Sequence, residues 1–444
     1  MIARLREAGF TAYLVGGCVR DLLLGRAPDD FDIATSARPD EVVRLFPDTD
    51  LVGAHFGVVL VRMDGAQVEV ATFRSDHSYQ DGRRPEKVEY ETDPRQDALR
   101  RDFTINAMFL DPVSGEVFDF AGGQADLQGC VLRTVGDPEQ RFAEDHLRLL
   151  RAVRFAARLG FTIQPETMSA MQQCRKNIHK VSAERIREEL SRILTEGGAR
   201  RGMEWMEESG LLAELLPEVA AMRGVKQPPE FHPEGDVWIH TRMMLDGMRD
   251  PSLTLALGVL LHDVGKPPTF RVADRIRFDG HAEAGAEMAG RILERFRFSA
   301  AQTAQVQALV AHHLRFKDVQ RMKASTLKRF LRMESFEEHL ELHRLDCTYS
   351  HGLLGNYEFV RGKLEEIPPE QLQPPRLLTG DDLIAAGYRP GPLFARMLDC
   401  VETAQLESAI STREEALRLI TSEFGPPQPD PSPATGTAQT PPDA

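Results

Sequence analysis

The stretch that most constrains this chain is residues 14–35, LVGGCVRDLLLGRAPDDFDIAT. Leu14 and Val15 read as the end of a buried strand that stops at Gly16-Gly17, where a backbone without Cβ atoms can approach a phosphate closely. Val19 to Leu24 reads as a helix opening with Arg20 in its first turn. After the break at Pro28, Asp30-Phe31-Asp32-Ile33-Ala34 alternates as a strand does, which puts Asp30 and Asp32 on one side. Two carboxylates about 7 Å apart on one strand face suit two Mg²⁺ ions that hold a triphosphate and activate a hydroxyl. A lone D-x-D is usually a solvated acidic turn. The glycine pair, Arg20 and the strand context together favour the catalytic reading.

The 444 residues are enough for roughly two to four domains, and 42% hydrophobic with 27% charged residues is ordinary for a globular protein. The longest apolar run, Leu253 to Leu261, is too short to cross a bilayer, and MIARLREAGF lacks the apolar core of a signal peptide. No membrane is therefore expected as a partner. Five cysteines without a C-x-x-C pair argue against a disulfide framework and a cysteine zinc site, and fit a reducing cytoplasm. A net charge of −14 argues against general nucleic-acid binding, yet residues 141–201 hold 13 Lys and Arg against 7 Asp and Glu. Such a segment fits a confined polyanion site; on charge alone, an ordinary basic helix surface explains it better.

Residues 1–135 alternate short strands and helices, with strand candidates at 57–63, 68–72 and 117–119, so an α+β head with a small mixed sheet is expected. From Pro138 helical periodicity runs to about residue 425. KQPPEFHP (226–233) and EIPPEQLQPP (366–375) read as domain junctions, and 425–444, rich in Pro, Thr and Ala, as disordered. The expected organisation is a head at 1–135, an all-α neck and body at 136–225, an all-α segment at 226–365, a helical tail at 370–424 and a disordered end.

Further blocks carry chemistry. Arg100 and Arg101 beside Asp102 can neutralise a triphosphate while the acid fixes their geometry, and Asn106 can bond a ribose hydroxyl. Residues 74–97 read as a mobile charged loop beside the site, and GGQADL (122–127) as a glycine hinge before a helix. In EDHLRLLRAVRF (144–155), Asp145 and Arg148 fall one helical turn apart. Cytosine and adenine both present an amino donor beside an unprotonated ring nitrogen, so an aspartate acceptor with an arginine donor selects those two bases together. Taken alone, D-x-x-R more often makes an internal helix salt bridge. The i,i+3 series drifts by about 60° per step, which leaves Arg151 and Arg154 for phosphate or structural roles.

These blocks, with VSAERIREELSRIL (181–194), resemble in content and order the class II tRNA nucleotidyltransferases, polymerase-β-like enzymes that build the CCA end of tRNA and include bacterial poly(A) polymerases. The resemblance implies Mg²⁺ on Asp30 and Asp32. It implies nucleotide contacts from Gly16, Gly17 and Arg20, with Arg100, Arg101 and Asp102 serving triphosphate and sugar. Asp145 and Arg148 would be the template for CTP and ATP, supported by Arg151 and Arg154. It also implies tRNA as partner. Glu69 is a candidate third carboxylate, though an exposed edge glutamate is an equal reading. A-adding enzymes and poly(A) polymerases share these blocks; the length of the 74–97 loop argues against a CC-adding form.

A second set lies in the helical half. His240, the pair His262-Asp263 in LLHDVGKP, and Asp346 suit a divalent metal that activates water, with His281 and His312 or His313 as further ligands. Isolated histidines on apolar helices are more often satisfied core residues. The pattern resembles the HD phosphohydrolases, which implies a metal centre of unspecified metal. The alternative is an HD phosphohydrolase whose head only binds RNA.

Overall fold

The computed structural model describes residues 1–51, 57–79, 85–230 and 232–427. It divides into two compact units: residues 1–312 with 349–351, and residues 313–348 with the described residues from 352 onward. That boundary falls inside the 226–365 segment that the sequence presents as one piece.

The head of the first unit rests on nine strands: β1 (Ala12–Val15), β2 (Asp32–Thr35), β3 (Thr49–Asp50), β4 (Val58–Met63), β5 (Ala66–Thr72), β6 (Arg74–Tyr79), β7 (Pro85–Tyr90), β8 (Met108–Leu110) and β9 (Val117–Asp119). Seven of them form one sheet in the order β3-β4-β5-β2-β1-β8-β9. Only the β2–β5 neighbours run parallel, so the sheet is mixed, as expected. Alternation drives it: Val59 and Val61 of β4 and Val70 of β5 are fully buried against Ile33, Leu5 and Phe46. A second cluster joins Val15, Ala34, Phe73 and Phe109, with Tyr13 against three phenylalanine rings.

Two expectations change here. Strand β2 begins at Asp32, and Asp30 lies in the bend before it. The partner strand dictates this: Val15 pairs with Asp32, and β1 then ends at Gly16, whose φ of +79° turns the chain into the helix Gly17–Leu23. On the β1 side no ladder remains for Asp30 to join. Residues 74–97, read as a loop, instead form the antiparallel β6–β7 ribbon and the helix Pro94–Leu99; residues 80–84 lie outside the described residues. Charge on this ribbon hides its strand alternation from a hydrophobic pattern.

From Pro138 the first unit is helical, with only short paired strand segments. The helix Arg148–Leu159 buries nine of its twelve residues, ends on Gly160 at φ +74° and carries Arg148, Arg151 and Arg154. In the second unit, helices Gly380–Ala385, Leu393–Leu406 and Arg413–Phe424 pack through Leu383, Met397, Val401 and Ile420. Thr379 and Thr412 close capping boxes at two of them, as the sequence predicts. Of the expected disordered end, residues 428–444 lie outside the described residues. No helix among the described residues is long and apolar enough to cross a membrane.

Candidate active site and histidine cluster

The turn after β1 and the start of β2 bring glycine backbone and carboxylates together at the mouth of a polar cavity of about 380 Å³. Its lining includes Gly16, Gly17, Arg20, Asp30, Asp32, Arg101, Asp102, Asn106, Arg151 and Arg154. Sheet register adds a third acid: Asp32 of β2 stands directly beside Glu69 of β5. Burial, then the carboxylates of Asp30 and Glu69, push the Asp32 carboxyl up to about 6 against the pull of Arg101. Like charges crowded to this degree form a hard-oxygen donor set that suits a divalent cation such as Mg²⁺. A Cβ on Gly16 would sit 3.3 Å from Arg101 Nη1 and 3.7 Å from Asp32 Oδ2, so only glycine leaves this corner open.

Each arginine is held by an acid. Buried Arg20 donates from Nη1 to Asn106 Oδ1 at 2.8 Å and from Nε and Nη2 to the Asp21 carboxylate. Asn106 therefore spends its carbonyl on Arg20, while its amide donates to Asp102 Oδ1 at 3.4 Å. Arg100 and Arg101 both donate to buried Asp97, one guanidinium on each carboxylate oxygen. Arg151 donates through Nε and Nη2 to Asp102 Oδ2 at 2.9 and 2.6 Å. Burial would raise the Asp102 carboxyl, but Arg151 and then Arg148 bring it down to about 2. Beneath them Phe155 serves as a platform, with the Arg20, Arg151 and Arg154 guanidiniums 5.5, 5.2 and 4.3 Å from its ring centroid. Arg154 is buried and donates from Nε to Glu189 Oε2 at 2.7 Å, which gives it a structural anchor besides its place at the cavity.

Asp145 and Arg148 are arranged otherwise than a single helix would place them. Asp145 is extended backbone between the helices Pro138–Glu144 and Arg148–Leu159, and its carboxylate accepts the Leu147 N–H. It pairs with Arg185 at 2.9 Å, while Arg148 donates to Glu144 at 2.6 Å and to the Arg100 carbonyl at 3.3 Å. Asp145, Arg148 and Arg100 are not among the residues lining the cavity, although Arg148 acts on Asp102 and Asp145 on Arg151 electrostatically. Pairs such as these neutralise much of the basic excess of 141–201 within the fold.

A second cluster forms in the first unit where the apolar helix Leu253–Leu261 ends. His262 Nε2 lies 3.1 Å from Asp263 Oδ2, and His281 Nε2 3.6 Å from Asp263 Oδ1. Both imidazoles donate from Nδ1 to backbone carbonyls, His262 to Val259 at 2.9 Å and His281 to Phe278 at 2.8 Å. A neutral imidazole anchored through Nδ1 offers the Nε2 lone pair, so each of these histidine–aspartate pairs has a spacing compatible with two ligands of a cation. The His240 ring lies 5.5 Å from that of His262. Lys266 donates to Asp263 Oδ2 at 2.6 Å and to Gln227. Burial would raise the Asp263 carboxyl; His262 and Lys266 hold it well below the usual carboxylate range. His312 ends the helix Ala300–His312. Asp346 belongs to the second unit, on the helix Phe336–Thr348, and its assignment as a ligand rests on sequence.

Residues 12–133 match the poly A polymerase head domain, 160–223 the probable RNA and SrmB-binding site of polymerase A, and 236–346 the HD domain. A CCA-adding enzyme of Bacillus pumilus is 44% identical over 211 residues, covering 48% of this chain and 52% of that one. Another, of Oceanobacillus iheyensis, is 49% identical over 193 residues, 44% of this chain and 48% of the relative. The solved Bacillus stearothermophilus CCA-adding enzyme in complex with CTP superposes with a TM-score of 0.73 at 27% identity, covering 95% of both chains. The chain thus carries a poly A polymerase head domain and an HD domain and is similar to CCA-adding enzymes in sequence and in fold. It spans about half the length of the curated relatives it matches.

Sequence reading supplied many of the residues that line this cavity and missed the ones that hold them. Asp97 had a signal, since D-x-x-R-R places both arginines at i+3 and i+4 on one short helix. Asp21 and Phe155 stood inside quoted motifs without a role. Glu189, 35 residues from Arg154, had none. In the HD part, His232 fell in a segment read only as a junction and Glu234 just after it had no reading, yet each lies within ligand range of His240.

Proposed function

We propose that this protein adds C, C and A to the 3′ end of tRNA from CTP and ATP without a nucleic-acid template. The observation that carries the reading is the convergence of Asp30 and Asp32 beside the Gly16-Gly17 turn in one cavity with Arg20, Arg101 and Arg151, with Glu69 next to Asp32 on the neighbouring strand. The tRNA 3′-hydroxyl attacks the α-phosphate in line, a new phosphodiester bond forms, the α–β anhydride bond breaks and pyrophosphate leaves. Magnesium on Asp30 and Asp32 supplies charge neutralisation and a lowered pKa for the attacking hydroxyl. The chain itself supplies preorganised positive charge: Arg101 at the glycine corner, Arg20 and Arg151 over Phe155, each locked by its acid so that little reorganisation accompanies reaction. Gly17 leaves room for the triphosphate, and Arg100, Asp102 and Asn106 position the arginines and the sugar.

Base selection is assigned to Asp145 and Arg148, with Arg154 anchoring the helix that carries Arg148. Both now have other partners, Arg185 and Glu144, so reading a base exchanges one ion pair for another. The relatives named CCA-adding enzyme, and the relative solved with CTP, support this reading over A-adding or poly(A) activity. Maturation of tRNA from CTP and ATP places the protein in the cytoplasm.

The deciding experiment supplies tRNAs that lack CCA, CA or A with CTP and ATP separately. Incorporation of C into the first two and of A into the third is expected, and Asp30→Ala should abolish all three. Incorporation of ATP alone overturns the CCA reading, and normal extension by Asp30→Ala overturns the site. The HD domain is read as a metal-dependent phosphohydrolase, with His240, His262 and Asp263 as the ligand set and His281, His312 and Asp346 as its extension. The supporting observation is the shared Nδ1 anchoring of His262 and His281 toward Asp263.

A further inference from the structure

The segment His232–Gly235, just ahead of the helix Val237–Gly247, delivers a carboxylate to two histidines at once. Glu234 Oε1 lies 2.9 Å from His232 Nδ1 and 2.9 Å from His240 Nδ1. The two rings meet edge to face with centroids 4.9 Å apart, and the Glu234 side chain is only 5% exposed. Its other oxygen, Oε2, is buried with no hydrogen-bond partner among the described residues. A carboxylate accepts and does not donate, so each imidazole that bonds it does so as an Nδ1–H donor, leaving Nε2 as a lone pair. His262 and His281 reach the same tautomer through backbone carbonyls. Four imidazoles from separate segments are thus anchored by the same ring nitrogen around one buried acid-rich spot, and two of them by a single side chain.

We propose that Glu234 is a positioning residue of the HD metal centre: it fixes the tautomers of His232 and His240 and so raises the centre's affinity for a divalent transition metal. The proposal rests on the metal-binding reading of His240, His262 and Asp263 given above. A histidine–carboxylate pair behind a metal orients the ring and raises its basicity, and losing such a partner lowers metal affinity about 10- to 100-fold. The buried Oε2 marks the same point: an unpaired buried oxygen is costly, and a cation or its bound water nearby offsets that cost.

The test uses the full chain, stripped by chelator and titrated with Co²⁺, whose visible d–d absorption distinguishes imidazole ligation from the all-carboxylate site of the head. The parent chain should develop that absorption on binding. Glu234→Gln keeps an oxygen that both imidazoles can bond but removes the negative charge that raises their basicity, and should weaken Co²⁺ binding 10- to 100-fold. Glu234→Asp, with the charge kept but withdrawn, should weaken it less. Far-UV circular dichroism and the fluorescence of Trp238 establish that each variant is folded. A folded Glu234→Gln or Glu234→Asp protein binding Co²⁺ as tightly as the parent overturns the proposal. A parent chain without the imidazole spectrum overturns the metal centre itself, a result that His262→Ala must then leave unchanged.

Discussion

Replacing Asp97 by asparagine separates the shape of an anchor from its charge. Asp97 is 1% exposed and accepts five hydrogen bonds: from Arg100 on Oδ1 at 2.9 and 2.7 Å, from Arg101 on Oδ2 at 3.2 and 2.9 Å, and from the Arg74 N–H on Oδ1 at 3.4 Å. Burial would raise its carboxyl, but Arg101 and Arg100 hold it below the ordinary range. Asparagine keeps the volume yet has one acceptor oxygen, so one arginine keeps its bonds while the other meets an amide that also donates. Breaking a buried pair costs about 3–5 kcal/mol. Because Arg100 and Arg101 are 20% and 18% exposed, water recovers part of that, and about 2–4 kcal/mol is expected. Arg101 also closes the Gly16 corner, so KM for the nucleotide should rise about tenfold, with a smaller change in kcat. Trp205 and Trp238 both lie outside the head, so their fluorescence will miss this loss. Hydrogen exchange of the β1–β2 amides reads it directly. A loss below about 1 kcal/mol together with KM within twofold of the parent would refute the anchoring argument.

Gly16→Ala forces a side chain into φ +79° and against Arg101, so strain of about 1–3 kcal/mol and at least a tenfold fall in nucleotide incorporation are expected. Incorporation within twofold would show the corner is not used. Glu189→Gln leaves the buried Arg154 guanidinium with a neutral amide and only the longer 3.6 Å pair to Glu196, and should cost about 3 kcal/mol, whereas Arg154→Met with Glu189→Leu should recover most of it. Denaturant unfolding of the three proteins decides this, and a double variant no more stable than the single one counts against it. Asp102 titrates near 2 when folded and near 3.8 when unfolded, so its contribution of about 2 kcal/mol is present above pH 4 and fades as pH falls toward 2. Asp102→Asn should flatten the acid limb of the stability profile, and parallel profiles would exclude the linkage.

What the sequence disclosed follows the range of each interaction. The glycine turn, the paired acids and the capping threonines are local, and each appears where its motif stands. The extent of β2 was misjudged because it is set by where β1 stops, a fact about another strand. Asp145 was misplaced on a helix because D-x-x-R spacing is the same whether or not a turn intervenes. Partners such as Glu189, Arg185 and Glu234 are fixed by packing between segments, and no periodicity announces them.

Strand alternation makes the acid trio sensitive to insertions far from any ligand. Asp32 and Glu69 meet because β2 and β5 are in one particular alignment. One residue gained or lost in the Asp64-Gly65 hairpin would turn Glu69 to the opposite side and drive Val70 out of the core. A hairpin mispaired in this way would scatter the acid cluster and open the core in one event, so a stable fold without the cluster does not arise by this route.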